Sequence, residues 1–138
     1  MTEEVFIDSG AFIALLDRSD RSHEDVRALF FLPPPRWSTS ILVASETYGW
    51  FLHRLGEAVA RSFRDLLVAL PRLALLSADA RHHALVSRAL ETHRGRKLTY
   101  VDASALVHMR ERKIRTVWAT DAHLGLEGAE VLPGPPRA

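Results

Sequence analysis

The 138-residue chain has no cysteine, no asparagine and no glutamine. Without cysteine there is no disulfide framework, no thiolate metal site and no cysteine nucleophile. No run of about 18 apolar residues occurs, so no helical membrane span is predicted. The start, MTEEVFIDSG, puts two acids ahead of a short apolar run. A secretory signal needs a basic start and a longer apolar stretch, so a mature cytoplasmic protein is expected. An excess of one charge is also missing: the formal net charge is +1. Proteins that hold nucleic acid by blanket electrostatics are far more basic, so any cations that meet a polyanion here must be gathered locally. Lysine is scarce, with only Lys97 and Lys113 among 18 basic residues. Arginine's planar fork suits phosphate, although a GC-rich genome produces the same bias. Depletion of thermolabile residues fits a thermophile source or codon usage.

A chain this long, 47% hydrophobic, can bury a core of its own and reads as one domain. Short β-rich runs alternate with amphipathic stretches, the signature of an α/β fold around a mainly parallel sheet. Strands are predicted at Val5–Ile7, Arg36–Thr39 (weakly), Leu73–Leu76, Thr116–Ala119 and Ala129–Leu132, giving four or five in all. Helices are predicted over Gly10–Leu16, from Ser22 with Asp25 as a capping box, from Ser40 to His53, over Glu57–Leu70, Asp79–Thr92 and Asp102–Lys113, with a last short turn from Asp121. The helix after Ser40 is apolar on nearly every side, which predicts burial or a covering partner. Residues 1–133 are expected to form the domain and 134–138 an irregular tail.

The acids fall where such a fold does chemistry. Asp8 follows the first strand and Asp121 the fourth, Asp102 opens a helix, and Glu46 lies in the second turn of the helix after strand two. In a parallel sheet every strand-to-helix turn emerges at one edge, where ligands bind beside the point of reversed strand order. Four carboxylates from four remote segments are therefore expected to converge. Each aspartate also has a simpler reading as a helix N-cap, and Thr99 with Asp102 reads as a capping box. Glu46 fits capping less well: among Val43, Thr47, Trp50 and Phe51 it needs a salt bridge, an exposed edge or a metal. Converging carboxylates repel one another and raise their own pKa values. A cation relieves that cost, and oxygen-only donors favour Mg²⁺ or Mn²⁺ over zinc.

The segments FIDSGAFIALLD, SILVASETYGW, LTYVDASALVHMRERKI and VWATDAHLGLEGAEVLP resemble the PIN-domain family in order, spacing and apolar context, from Val5 to Pro133. Within it the chain looks most like the small bacterial and archaeal VapC toxins. The resemblance implies a PIN-like three-layer α/β/α fold and a Mg²⁺- or Mn²⁺-dependent endoribonuclease held inactive by an antitoxin protein. By position Asp8, Glu46, Asp102 and Asp121 match the family's acidic set, Asp8 and Asp102 as primary metal ligands. Ser9 and Thr120 match the hydroxyl residues beside the first and last acids, where they would orient a water or a phosphate oxygen or serve as caps.

Arg94, Arg96 and Lys97 either hold RNA phosphates near the pocket or answer a helix dipole. The histidines His23, His82, His83, His93 and His123 lack metal-like spacing and read as surface residues. The apolar surface of helices 41–53 and 57–70 suits a homodimer or an antitoxin helix. Three other readings share parts of this pattern. A receiver domain fails because no acid ends strand three and no lysine follows Lys113. A free-standing PIN nuclease in RNA processing and a non-catalytic PIN-like module stay open.

Overall fold

The computed structural model describes residues 3–136. Five parallel strands make one sheet in the order β3-β2-β1-β4-β5. They are β1 (Glu4–Ile7), β2 (Arg36–Ser40), β3 (Ala74–Leu76), β4 (Thr116–Ala119) and β5 (Glu130–Pro133). The helices are α1 (Ser9–Leu16), α2 (His23–Phe30), α3 (Ile41–Leu55), α4 (Glu57–Ala69), α5 (Ala80–Thr92) and α6 (Tyr100–Arg112), with a 3₁₀ turn at His123–Gly125. They flank the sheet in an α/β/α arrangement. The tail residues 134–136 carry neither helix nor strand, and 137–138 lie outside the described residues.

β1 is central. Val5, Phe6 and Ile7 are buried and pair with β2 on one side and β4 on the other. The chain thus leaves β1 toward β2 and later returns to β4 on its opposite flank. This makes the β1/β4 carboxyl ends the switch point at which open α/β sheets bind ligands. β2, RWSTS, looks weak in sequence because three of its residues carry hydroxyls. All three are fully buried and find partners: Thr39 donates to the Ile7 carbonyl (2.7 Å), and Ser40 accepts the Val43 N–H (3.0 Å) to cap α3. A buried hydroxyl is tolerated only when so paired.

The main core lies under α1, α3 and α4. Phe12 meets Phe63 edge-on at 5.2 Å, Phe51 lies 5.5 Å from Phe63, and Phe30 packs on Trp118 at 4.8 Å. Gly56 joins α3 to α4 with φ +94°, a backbone state costly for any residue with a Cβ. α3 is less buried than its apolar sequence predicts: Val43, Thr47 and Phe51 are buried, while Ile41 and Leu55 are exposed.

Three local expectations are corrected. Ser22 does precede α2, but its side chain makes no cap bond; instead its own N–H donates to Asp20 (2.8 Å). α6 begins at Tyr100 rather than Asp102, because Thr99 is the N-cap and Asp102 closes the capping box from the third helical position. His82 is buried rather than on the surface. Its Nε2 lies 2.6 Å from Ser104 Oγ, and its ring stacks on His108 at 4.1 Å. There a second small core of Val86, Ala89, Ala103 and Val107 ties α5 to α6.

Candidate active site

Asp8 is the first residue past β1. Its N–H donates to the Trp118 carbonyl (2.9 Å), which extends the β1/β4 ladder up to the switch point. It precedes α1, yet its side chain forms no cap bond there, so the capping reading fails for this residue. The side chain is 4% exposed. Burial raises its pKa to about 7 against the favourable pull of the Ser9 N–H, and Asp121, Asp102 and Glu46 each push it further up. All four acids line one cleft.

Glu46 comes from the second turn of α3, which Ser40 starts beside the end of β2. Of the alternatives its sequence context leaves, it takes the exposed edge and opens on the cleft. Partial desolvation raises its pKa, the Ser9 hydroxyl donates to it and lowers it, and Asp102 and Asp121 raise it again. Ser9 thus bridges two acids, with its N–H at Asp8 and its hydroxyl at Glu46. Asp102 is held by the capping box, accepting the Thr99 N–H (3.3 Å) while its own N–H donates to Thr99 Oγ1 (3.0 Å). Asp102 therefore serves as part of the capping box and lines the cleft as well. Asp121 accepts the N–H of His123 (2.9 Å). The His123 ring stands between two acids, with Nδ1 3.4 Å from Asp102 and 3.8 Å from Asp121.

Thr120 lies behind Asp121, against Gly10. A Cβ at position 10 would collide with Thr120 Oγ1, so glycine in α1 lets the β4 turn close on the site. Arg94, Arg96 and Lys97 sit in the exposed turn before α6 and do not line the cleft. Arg94 pairs with Glu91.

The four acids share a cleft of about 510 Å³ whose other walls are Ser9, Ile13, Thr99, His123 and the α3 residues Gly49, Trp50, His53 and Arg54. Reading the sequence by its acids passes over this α3 wall. Its signal is the i+3, i+4, i+7, i+8 spacing from Glu46, which places those residues on one helix face.

Among the described residues no three acidic or imidazole side chains form a ready-made cation cage. The donor set nevertheless fits a hard divalent cation. The donors are all carboxylates, and burial, with the other three adding to it, drives Asp8 toward its protonated form. Mg²⁺ retains several waters, so carboxylates set this far apart can hold it partly through them.

The PIN domain description matches residues 5–125. The chain is 28% identical over 131 residues to the 23S rRNA-specific endonuclease VapC20 of Mycobacterium tuberculosis, covering 94% of this chain and 98% of that one. It superposes on the crystal structure of M. tuberculosis VapC20, a sarcin–ricin loop cleaving toxin, with a TM-score of 0.84 at 24% identity, over 91% of this chain and 95% of that one. Rickettsia felis VapBC2 bound to a promoter DNA fragment superposes with a TM-score of 0.66 at 12% identity, over 95% of this chain and 98% of that one. With a parallel sheet, four acids at its switch point and a family match across most of its length, the chain belongs to the PIN-domain family.

Proposed function

We propose that this chain is a divalent-metal-dependent endoribonuclease of the VapC type, with residues 1–133 acting as one nuclease domain. The observation that carries the reading is Asp8, a buried carboxyl at the sheet's switch point with three further acids raising its pKa. A protein that used these acids only as caps would gain nothing from that repulsion.

Asp8 and Asp102 would be the primary ligands for Mg²⁺ or Mn²⁺, with Glu46 and Asp121 binding directly or through water. Bound there, the cation would lower the pKa of an attacking water and offset charge on the leaving oxygen. The protein's own contribution is orientation. Ser9 fixes Glu46 against Asp8, Thr99 fixes Asp102, and the tight fit against Gly10 holds the Thr120–Asp121 turn. Thr120 and Ser9 offer hydroxyls for a water or a phosphate oxygen. Arg94, Arg96 and Lys97 lie outside the cleft, where they would serve as outer contacts for a longer RNA.

The relative's substrate makes 23S rRNA the first RNA to try. The VapBC neighbour suggests a cognate antitoxin as inhibitor. The exposed Ile41, Leu55 and Val68 on α3 and α4 suit such a partner or a homodimer. Purified protein should cleave a labelled rRNA stem-loop or single strand with Mn²⁺, and lose cleavage with EDTA or in Asp102→Asn. Cleavage that survives both would refute the metal-site assignment, and absence of both cleavage and Mn²⁺ binding would leave a non-catalytic module.

A further inference from the structure

Beyond Glu46, α3 continues along the cleft as a wall of different chemistry. Trp50 lies one turn further on and Arg54 two turns, about 6 and 12 Å along the axis. Both line the cleft, and the Arg54 guanidinium stacks over the Trp50 ring with Cζ 5.5 Å from its centroid. Among the described residues Arg54 has no carboxylate partner, unlike Arg81, Arg94, Arg110 and Arg112, which each pair with a glutamate. Between Glu46 and Trp50 stands Gly49, also at the cleft, where an added Cβ would meet nothing within 4 Å. Glycine is disfavoured inside a helix, and no packing constraint calls for it here. What it leaves is an open path for a bulky group to approach the α3 backbone.

We infer that this wall positions the RNA: Trp50 stacks on an unpaired base beside the scissile phosphate, and Arg54 binds the next phosphate along the strand. The inference rests on the nuclease reading and names the residues that receive its substrate. Aromatic faces and arginine planes are what proteins offer to splayed-out RNA bases, and a planar guanidinium matches phosphate in pairs of hydrogen bonds. The acids cannot attract a polyanion by themselves, so a cation at the far end of the same cleft supplies the missing complementarity. Trp50 and Arg54 are positioning residues, acting on binding rather than on the bond-breaking step.

The test is steady-state cleavage, with Mn²⁺, of an RNA that the wild type cuts, by Trp50→Ala, Trp50→Phe and Arg54→Ala. Trp50→Ala should raise KM roughly five- to hundredfold, as expected for loss of one base stack, while kcat stays within about threefold. Trp50→Phe should restore most of the loss, and Arg54→Ala should lower the salt dependence of binding by about one unit of slope. A second readout does not depend on variants of the wall. Trp37 and Trp118 are only 4% and 3% exposed, so quenching by acrylamide reports mainly on Trp50. In Asp8→Asn, an oligoribonucleotide should shield Trp50 from acrylamide. Wild-type KM in Trp50→Ala, or no shielding by RNA, overturns the inference while the nuclease reading stands. Shielding by a protein partner and not by RNA overturns it too. A wild type that neither cuts RNA nor binds Mn²⁺ removes the nuclease reading itself, and this inference with it.

Discussion

Two places in this molecule bury titratable side chains, and burial moves their pKa values in opposite directions with opposite meaning. At the cleft, desolvation pushes Asp8 up to about 7. In the seam between α5 and α6, desolvation is again the largest cause, and it pulls His108 down to about 4. His82 is lowered for the same reason. In both cases burial favours the neutral form. The difference lies in what surrounds the group. Asp8 opens on a cleft with three further acids, an arrangement that a proton or a cation relieves. His108 is buried against the stacked His82 ring, feels the charges of Glu111 and Arg112, and has no hydrogen-bond partner for Nε2 among the described residues. A perturbed pKa marks a functional site when the group can reach a ligand, and marks packing when it cannot.

The sharpest way to break this comparison is Asp8→Asn. Cleavage should fall on the order of a thousandfold, since a catalytic cation supplies several kcal/mol of transition-state stabilisation. Stability without metal should hold or rise, because a desolvated, repelled carboxyl has been removed. Mn²⁺ should raise the melting temperature of the wild type and leave that of the variant unchanged. A variant that unfolds, or keeps wild-type activity, would make Asp8 a structural residue like those of the seam.

Next in size is the pH dependence of the metal-free protein, where the two regions oppose each other. Between the ordinary value of 3.8 and about 7, folded Asp8 keeps a proton that the unfolded chain has lost. Its contribution therefore destabilises the fold as pH rises through that window. Between 6.5 and about 4 the unfolded chain protonates at His108 while the folded one does not. That contribution is lost as pH falls. Denaturant melts across pH 4–7 should show Asp8→Asn losing less stability toward neutral than the wild type, and His108→Phe losing less toward acid. Parallel curves for the two variants would show that one of the two groups titrates normally.

Gly10→Ala tests how far the cleft depends on the packing behind it. The new methyl displaces Thr120, at a cost of about 1–3 kcal/mol, and shifts the turn carrying Asp121. Cleavage should fall with stability, whereas overpacking of the α5–α6 seam at Ala89 should lower stability alone. The smallest effect belongs to Thr99→Ala, which removes one half of the capping box. A loss of about 1 kcal/mol is expected, together with a several-fold drop in cleavage as Asp102 loosens. Stability loss with unchanged kcat would assign Asp102 to capping only.

The sequence by itself determined the alternation of strand and helix, and with it the α/β class. The periodicity of Val59, Phe63 and Leu66 and the apolar run Val5–Ile7 admit few other structures. It also pointed to Asp8 and Asp121 at the ends of β1 and β4, because every strand-to-helix turn of a parallel sheet emerges at one edge. Other features were decided only by tertiary structure. β2 is made strand by β1, whose carbonyls take up the hydroxyls of a segment with little local preference. His82 is buried because Ser104, 22 residues away, sits opposite it. The α3 wall faces the cleft because α3 packs on α1 and α4 through Val43, Thr47 and Phe51, turning Glu46, Trp50 and Arg54 outward to the site. A helix that is apolar on nearly every side carries no signal of which side will face solvent; its neighbours choose, and with that choice they determine where the substrate can lie.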